Sequence, residues 1–573
     1  MDRDAFLRFL SRRVRVCDGP LGLILEQGVT AGMPLPELLA LEDPRRLVEF
    51  HRKAAEAGAD ILLTHTLAAN GPTLEPLGLR DRLAAIIERA VSAAREGRDA
   101  VEGAPGGERA WVGAVLGPLA PGVRPRGSLE LDPAVAAQSE VVRLARDAGA
   151  ELFVLDGMSD LQDLKAALMA VRDEAPERPV IAQMVFGAGG QSRSATPPAA
   201  AWALARSLGA DVVGAAGNLT PGEMMRIASA YRAVSDLPFL VRPGGSASPR
   251  EFARQMVPLV EKGAALIGCG GCSTPRHVAY LRRSTRDCRA RIPDRAPRLI
   301  LSSRERDVEV GSRRGLVTAR AWTGPAADLV RSGAQMVEVR AASRGEEEPA
   351  MLRKMVQMAQ GRTRCPLLIT ATTRRGMEEA LKAAVGRPLI ASIWGDRGRL
   401  GRVLPLIRRY GAGVVIACLA GDRRLEDAEA RIAVAEEIVQ QCLGAGLQQQ
   451  DLVIDPAAVP FIGEERQLAE VLRTLALAKE RLGQPTLLRL NRMSEGLSAG
   501  RSTLEAALLA MAAPAGLDLA VGYFDDPNLL RQAGAANYLT GRDPGGRRFA
   551  ASVGKTRPST GPQGRPVWKK RRV

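Results

Sequence analysis

The segment ALIGCGGCSTPRH (265–277) contains two of the seven cysteines of this 573-residue chain. Cys269 and Cys272 stand three positions apart among glycines, a spacing that suits metal binding or thiol–disulfide exchange. The same pair could also be two buried thiols without chemistry, because cysteine is among the most often buried residues. The chemistry of this pair therefore depends on which other residues the fold brings beside it.

The composition is that of an ordinary globular protein, with 46% hydrophobic and 25% charged residues. The sequence has no apolar run of about 18 residues that could cross a membrane. Its charged start, MDRDAFLRFLSRRVRV, lacks the apolar stretch of a secretory signal. Seven cysteines are too few, and odd in number, for a disulfide framework. We therefore expect a cytoplasmic protein that does not contact a membrane.

The net charge of +16 is concentrated at the C-terminal end of the chain. Residues 542–573 contain ten Lys or Arg and one Asp, and they are rich in Gly, Pro and Ser. Such a segment has little to bury, which predicts a disordered basic tail. No nucleic-acid-binding motif accompanies the charge, so we expect no nucleic-acid partner.

Short apolar runs alternate with helical periodicity along the whole chain, as in strands buried on both faces. The first half has eight such runs, at 14–19, 60–66, 111–117, 151–157, 179–186, 211–217, 238–245 and 265–271. The second half has eight more, at 299–302, 335–340, 366–371, 388–393, 413–418, 451–456, 486–491 and 518–523. This rhythm predicts an α/β protein of two consecutive (β/α)8 barrels. Two open doubly wound sheets are the weaker alternative, because no Gly-x-Gly-x-x-Gly turn follows a first strand.

The predicted boundaries place the first barrel at 1–285 and the second at 299–541. The charged, proline-containing segment 286–298 is typical of a linker, and the basic tail begins at 542. Functional residues of such barrels lie at the carboxyl ends of the strands.

Segments at the predicted strand ends of the first half resemble homocysteine S-methyltransferases. They are DGPLG (18–22), GADILLTHTLAAN (58–70), LGPLAP (116–121), GNLTPGEM (217–224) and GCGGCSTPRH (268–277). The second half resembles the pterin-binding methyltransferases related to dihydropteroate synthase. Its matching segments are SRERD (303–307), GAQMVEVR (333–340), DLVIDPAAVP (451–460) and GLSAGRSTLEAALLAMAAPAGLDLAV (496–521). In this order the two halves resemble the front half of cobalamin-dependent methionine synthase.

The resemblance implies a zinc ion on three cysteines in the first barrel, which would activate the thiol of the substrate. The matching positions in this chain are Gly217, Gly270 and Gly271, so all three ligands are absent there and we expect no zinc. One relocated set is conceivable at neighbouring strand ends; its members would be Cys17, His65, Cys269 and Cys272. We favour buried cysteines without metal.

Other substrate-pocket positions of the first barrel are partly retained. Asp18 and Gly19 remain as in the family, and Asp156 stands where the family has Glu. Gly244 replaces the Asn that the family usually has after proline. The resemblance therefore leaves room for a small polar ligand, without the group that would activate a thiol.

In the second barrel, most residues that would recognise a pterin ring are substituted. The matching positions are occupied by Glu338, Arg340, Thr370, Ala391 and Arg492. The residues that match the family pattern are Glu305 with Arg306, Asp455 and Ser494. Each lost polar partner in a closed pocket costs about 1–3 kcal/mol, which predicts a large loss of pterin affinity.

Arg340 and Arg492 allow two interpretations. They could bind an anionic small molecule, or they could form ion pairs with Glu338 and Asp455 and fill an empty pocket. We favour the ion pairs.

Three functional hypotheses follow. The chain could be a methionine-synthase-like protein with impaired or lost methyl transfer, a pseudoenzyme candidate, which we favour. It could instead be an active divergent methyltransferase that moves a methyl group between methyltetrahydrofolate, a corrinoid and a thiol acceptor. The sequence has no Asp-x-His-x-x-Gly stretch, so the corrinoid would then be supplied by a separate protein. The third hypothesis is an enzyme or binder of an anionic small molecule.

Overall fold

A computed structural model describes residues 2–19, 33–101, 108–244, 248–270, 274–290, 293, 298–311, 315–322, 333–341, 345–395, 397–421, 423–462, 464, 466–497, 499–553, 559–560 and 566–567. The chain divides into two compact units, Met1–Pro297 and Arg298–Val573. Each unit contains one eight-stranded parallel sheet, and we call these sheets barrel one and barrel two. The division falls at the segment that we predicted to be a linker.

Barrel one contains all eight strands predicted for the first half. They are β1 (Arg15–Val16), β2 (Ile61–Leu63), β3 (Trp111–Leu116), β4 (Leu152–Met158), β5 (Val180–Val185), β6 (Val212–Gly217), β7 (Phe239–Pro243) and β8 (Leu266–Ile267). Consecutive strands pair in parallel from β2 to β8, and β8 pairs with β1. A parallel bridge between Cys17 and Ile61 then closes the barrel.

Helices connect these strands and cover the sheet. They are α1 (Arg3–Arg12), α2 (Leu39–Glu42), α3 (Pro44–Glu56), α4 (Gly71–Leu74), α5 (Leu83–Asp99), α6 (Leu131–Asp147), α7 (Leu161–Glu174), α8 (Pro198–Ser207), α9 (Pro221–Val234), α10 (Pro249–Glu261) and α11 (Pro275–Ser284). The start of α9 shows how local sequence begins a helix. The Thr220 side chain accepts from the backbone of Glu223, whose carboxylate accepts in return, and Pro221 occupies the first turn of α9.

Helix α1 closes the amino end of barrel one. Phe6, Phe9 and Leu10 pack into the interior cluster of the barrel. The fully buried Arg15 donates to the Phe9 carbonyl oxygen at 2.8 Å and to Glu108 at 2.6 Å. A buried charge that is paired and hydrogen-bonded in this way anchors the helix to the strand below it.

Barrel two has the same arrangement. Its strands are β11 (Val317–Trp322), β12 (Met336–Arg340), β13 (Leu367–Thr370), β14 (Leu389–Ile393), β15 (Gly413–Ala417), β18 (Leu452–Asp455), β19 (Leu487–Arg489) and β20 (Leu519–Gly522). All pair in parallel, and a bridge between Ile454 and Thr486 closes the barrel. The predicted fold class, two consecutive (β/α)8 barrels, is confirmed.

One predicted strand of barrel two was misplaced. The run at 299–302 is β9 (Leu299–Ser302), which forms an antiparallel hairpin with β10 (Asp307–Val310) outside the barrel sheet. The first barrel strand is β11, which the sequence analysis did not identify. The hairpin packs its apolar side chains, Leu299, Leu301, Val308 and Val310, into the interior cluster of the barrel. An apolar run was therefore a correct sign of burial but an incorrect sign of membership in the sheet.

Arg387 holds the hairpin against the amino end of barrel two. Its guanidinium is fully buried, pairs with Asp451, and donates to the carbonyl oxygens of Ile300 and Gly411, each at 3.3 Å. Since Arg387 lies just before β14, the hairpin closes the end of the barrel opposite to the carboxyl ends of the strands. Two short strands, β16 (Leu419–Ala420) and β17 (Arg423–Arg424), form a separate hairpin after β15.

The helices of the second unit are α12 (Glu348–Arg362), α13 (Arg374–Ala383), α14 (Arg397–Arg409), α15 (Ala428–Gly444), α16 (Gln467–Leu477), α17 (Leu490–Met493), α18 (Arg501–Ala512), α19 (Pro527–Leu539) and α20 (Arg547–Ser552). Helix α20 lies inside the segment predicted to be a disordered tail. Asp543 accepts from the backbone N–H groups of Arg548 and Phe549, which starts this helix. Beyond Val553 the structure describes only β21 (Ser559–Thr560) and β22 (Pro566–Val567), and the disorder predicted for the rest lies outside the described residues.

Among the helices that the structure describes, none has the length and apolar character needed to cross a membrane.

We predict that Arg387→Met lowers the free energy of unfolding by about 3–5 kcal/mol, because it leaves the Asp451 carboxylate without its partner. Urea unfolding followed by circular dichroism measures this change. The matched control is Arg473→Met, which removes an exposed ion pair with Glu429 in the same unit and is expected to cost less than about 1 kcal/mol. Equal effects of the two substitutions would contradict the anchoring role of Arg387.

Candidate functional site

The carboxyl ends of the strands, which we call the mouth of each barrel, are the predicted location of function. In the mouth of barrel one, Arg242 Nη1 donates to Asp156 Oδ2 at 2.8 Å. Arg242 lies on β7 and Asp156 on β4, with two strands between them in the sheet. The bond therefore runs across the interior of the barrel.

Glycine makes room for Arg242. A Cβ atom at Gly268 on the neighbouring chain segment would lie 3.1 Å from Arg242 Cγ and 3.3 Å from Cys17 Cβ. Arg242 and Cys17 each expose only 1% of their surface. Burial raises the pKa of the Cys17 thiol to about 12, although the charge of Arg242 acts in the opposite direction. The thiol is therefore protonated at neutral pH.

Of the other two predicted substrate-pocket residues, Asp18 contacts the backbone of β2 and His51 of α3. Asp18 is buried, and its Oδ1 accepts from the backbone N–H of Leu63 at 2.9 Å. Its Oδ2 lies 3.7 Å from Nδ1 of His51 on α3, so the carboxylate points toward the helix layer. Burial raises the pKa of Asp18. Gly19 is buried beside it.

At the two described family positions for zinc, Gly217 and Gly270, neighbouring backbone lies close to the place where a cysteine Cβ atom would stand. At Gly217 a Cβ atom would lie 2.4 Å from the carbonyl oxygen of Phe186, closer than real Cβ atoms approach. At Gly270 a Cβ atom would lie 3.0 Å from the carbonyl oxygen of Arg242. The third position, Gly271, lies outside the described residues. Backbone therefore occupies the space that a cysteine at Gly217 would need, and it crowds the space at Gly270.

The relocated set is not assembled by its described members. Within the part of the chain that the structure describes, no three His, Cys, Asp or Glu side chains form a group that could hold a metal ion. Cys17 and Cys269 are both buried, and burial lowers the pKa of His65 to about 4. Cys272, the other half of the Cys-x-x-Cys pair, lies outside the described residues.

In the mouth of barrel two, three charged residues form a cluster that we call the floor: Glu338, Asp455 and Arg489. Glu338 pairs with Arg489 Nη1 and accepts from Thr370 Oγ1 at 2.8 Å. Arg489 Nε lies 3.6 Å from Asp455 Oδ2. Both carboxylates are about 95% buried, and burial raises the pKa of Asp455. Arg489 is therefore the shared ion-pair partner of Glu338 and Asp455.

The ion pairs that we favoured for Arg340 and Arg492 are not formed. Arg489, which the sequence analysis did not single out, takes both acidic partners. Arg340 and Arg492 are exposed, and neither forms an ion pair with any residue that the structure describes. The sequence did contain a sign of the role of Arg489. Side chains alternate between the two faces of a strand, so Arg489 shares the inward face of β19 with Leu487, which belongs to the interior cluster.

The other two predicted pterin-pocket residues, Ser494 and Glu305, are not part of the floor. Ser494 is buried and donates to Glu505 Oε1 of α18 at 2.5 Å. Glu305 lies in the hairpin at the amino end of the barrel, where it pairs with Arg364 at 2.9 Å. Its assignment to the pocket does not agree with this position, because Arg364 precedes β13. Asn491 was not predicted, and its Oδ1 atom is buried without a hydrogen-bond partner among the described residues.

Comparison with known proteins identifies the two domains. Residues 15–285 match the model of the homocysteine S-methyltransferase family, and residues 316–521 match that of the pterin binding enzyme family. The methionine synthase of Mycobacterium tuberculosis (strain ATCC 25618 / H37Rv) is 25% identical over 578 residues, 90% of this chain and 48% of that protein. The chain thus spans about half the length of this curated relative.

Solved structures are also similar to parts of this chain. The metallated form of the homocysteine methyltransferase MmuM from Escherichia coli is 20% identical, with a TM-score of 0.43, over 49% of this chain and 98% of that one. The dihydropteroate synthase from Xanthomonas albilineans in complex with 7,8-dihydropteroate is 19% identical, with a TM-score of 0.35, over 43% of this chain and 98% of that one. The chain is thus similar along most of its length to a methionine synthase, and a region that matches homocysteine S-methyltransferases is followed by one that matches pterin binding enzymes.

Proposed function

We propose that this methionine-synthase-like protein does not perform the thiol methylation implied by its family, and that it acts as a non-catalytic two-barrel protein. One observation carries this proposal. In each mouth, acidic side chains are already paired with an arginine of the same chain, the buried Arg242 in barrel one and the partly buried Arg489 in barrel two.

In barrel one the internal pair competes with a substrate. An amino acid whose amino group bound Asp156 in place of Arg242 would break this ion pair. The guanidinium would then remain buried without its partner, which costs about 3–5 kcal/mol. The crowded glycine positions act in the same direction, because no thiolate ligand stands at Gly217 or Gly270 to hold a zinc ion that could activate a thiol.

In barrel two the floor takes the place of groups that would recognise a ring. A pterin ring presents donors and acceptors in a fixed pattern, and the carboxylates of Glu338 and Asp455, which could pair with some of them, are already engaged by Arg489 and, at Glu338, by Thr370. Inserting a ring would separate this cluster and leave its charges unpaired. The two barrels therefore resist their family ligands for the same physical reason.

Calorimetric titration of the full chain with homocysteine and with methyltetrahydrofolate tests the proposal. We expect no binding heat for either compound at concentrations up to about 1 mM, which corresponds to a binding free energy weaker than about −4 kcal/mol. A methionine synthase titrated under the same conditions is the positive control. Micromolar binding of either compound would contradict the proposal and favour an active methyltransferase that uses a separate corrinoid protein.

We also predict that the protein purified from zinc-supplemented medium contains less than about 0.1 zinc ion per chain after dialysis. The reason is the lack of sulfur ligands at the family positions. Metal analysis by mass spectrometry gives the number directly. One tightly bound zinc per chain that is lost in a Cys17→Ser, Cys269→Ser, Cys272→Ser triple variant would show instead that the site has moved.

Cys17 is expected to be unreactive in the native protein. With a pKa of about 12, its thiolate fraction at pH 8 is on the order of 10⁻⁴, and its surface is buried. Alkylation by iodoacetamide followed by peptide mass spectrometry should label the partly exposed Cys288 and leave Cys17 unmodified until the protein is denatured. Equal labelling of the two native thiols would show that Cys17 is accessible and activated.

A further inference from the structure

The side chain of Arg242 lies inside barrel one, in space that a neighbouring glycine leaves open. Leu240 belongs to the interior cluster, so Arg242, two residues later on β7, points to the same interior. Its stem passes Gly268, where a Cβ atom would lie 3.1 Å from Arg242 Cγ and 3.5 Å from Cδ. Any side chain at position 268 would therefore compete with Arg242 for this space.

Two acceptor groups stand beside each other at the far end of this side chain. Asp156 Oδ2 accepts from Arg242 at 2.8 Å, and Asp156 Oδ1 accepts from the backbone N–H of Gly157 at 2.7 Å. An irregularity in the pairing of β4 with β5 places Asp156 and Gly157 opposite Gln183. Gln183 shares the inward face of β5 with Ile181, which belongs to the interior cluster. The interior thus presents a carboxylate next to a primary amide.

The Gln183 amide is fully buried, and neither its oxygen nor its nitrogen has a hydrogen-bond partner among the described residues. Arg242 Nε is likewise buried without a partner in the described part of the chain. A guanidinium has five N–H donors in a planar fork and can bond a carboxylate through two of them. Because Arg242 is tethered to β7, it reaches the acid through Nη1 alone and does not satisfy the amide.

We propose that the interior of barrel one is a binding site for a small guanidinium cation, and that Arg242 is the resident occupant that keeps it closed. A purely structural ion pair would be expected to have satisfied polar neighbours, because a buried polar atom without a partner is costly. Gln183 and Arg242 Nε do not fit that expectation, whereas a free cation could turn toward both acceptors. This inference rests on the proposed function, since it attributes the inactivity of barrel one to autoinhibition by its own side chain.

The full chain carrying Arg242→Ala, titrated with N-ethylguanidine, tests the inference. This compound matches the atoms that the substitution removes. We expect calorimetry to give a dissociation constant below about 10 mM, at the weak end of the range for small ligands. At about ten times that constant, the thermal unfolding midpoint of the variant should rise by at least about 2 °C. The parent protein should not bind, because Arg242 occupies the site.

Three controls isolate the interior site. Adding Asp156→Asn to Arg242→Ala should weaken the binding at least about tenfold, because the carboxylate partner is lost. Arg80→Ala, which removes an exposed ion pair with Glu140 in the same unit, should not create a site for ethylguanidine. Tetramethylammonium has the same charge without N–H donors, and it should not bind the Arg242→Ala variant.

No binding of ethylguanidine to the folded Arg242→Ala variant would overturn the inference. Equal binding by the double variant, or equal binding of tetramethylammonium, would also overturn it. If Arg242→Ala does not fold alone, its refolding from urea replaces the titration. Recovery of the native circular dichroism spectrum with ethylguanidine, and not with tetramethylammonium, would support the inference, and failure to recover with either would overturn it.

The failure of this inference can be told apart from failure of the proposed function. Homocysteine binding by the parent protein would contradict the proposed function. A negative ethylguanidine titration of Arg242→Ala, with a parent protein that binds neither compound, would contradict only the occupancy of the site by Arg242.

Discussion

An arginine that is buried or, for Arg489, partly buried pairs with a carboxylate at each end of each barrel. Arg15 and Arg387 hold the amino ends, and Arg242 and Arg489 occupy the mouths. A charge inside a protein is costly unless it is paired and hydrogen-bonded, so neither member of such a pair can be withdrawn cheaply. This constraint decides both how the barrels are closed and what their mouths can accept.

At the amino ends the pairs anchor elements that are not part of the sheets. Arg15 holds α1 through the Phe9 carbonyl oxygen, and Arg387 holds the β9–β10 hairpin through the Ile300 carbonyl oxygen. Both elements contribute apolar side chains to the barrel interior. At the mouths the same type of pair engages Asp156, Glu338 and Asp455, which are among the polar groups that a ligand would otherwise use.

Two glycines in the mouth of barrel one, Gly217 and Gly268, stand where neighbouring groups now fill the space of a side chain. Gly217 stands where a metal ligand is implied by resemblance, and the Phe186 carbonyl oxygen now lies within 2.4 Å of the place where its Cβ would be. Restoring a cysteine there would require the backbone to move. At Gly268 the missing side chain gives its space to Arg242 and Cys17. The backbone around Gly217 therefore leaves no room for a side chain, so the loss of the implied metal ligand goes together with a different local packing.

The sequence by itself determined the fold class, fifteen of the sixteen barrel strands and the order of the two domains, because alternating apolar runs and helical periodicity are local properties. It also determined which family positions are substituted. Only the tertiary structure decided that residues 299–302 leave the sheet, that Glu305 lies at the amino end, and that Arg489 rather than Arg340 or Arg492 pairs with Glu338 and Asp455. Glu338 and Arg489 are 151 residues apart, and their contact crosses the barrel interior. Periodicity shows that both side chains point inward, but which of several inward arginines meets a given acid depends on strand register and barrel closure, which no local pattern contains.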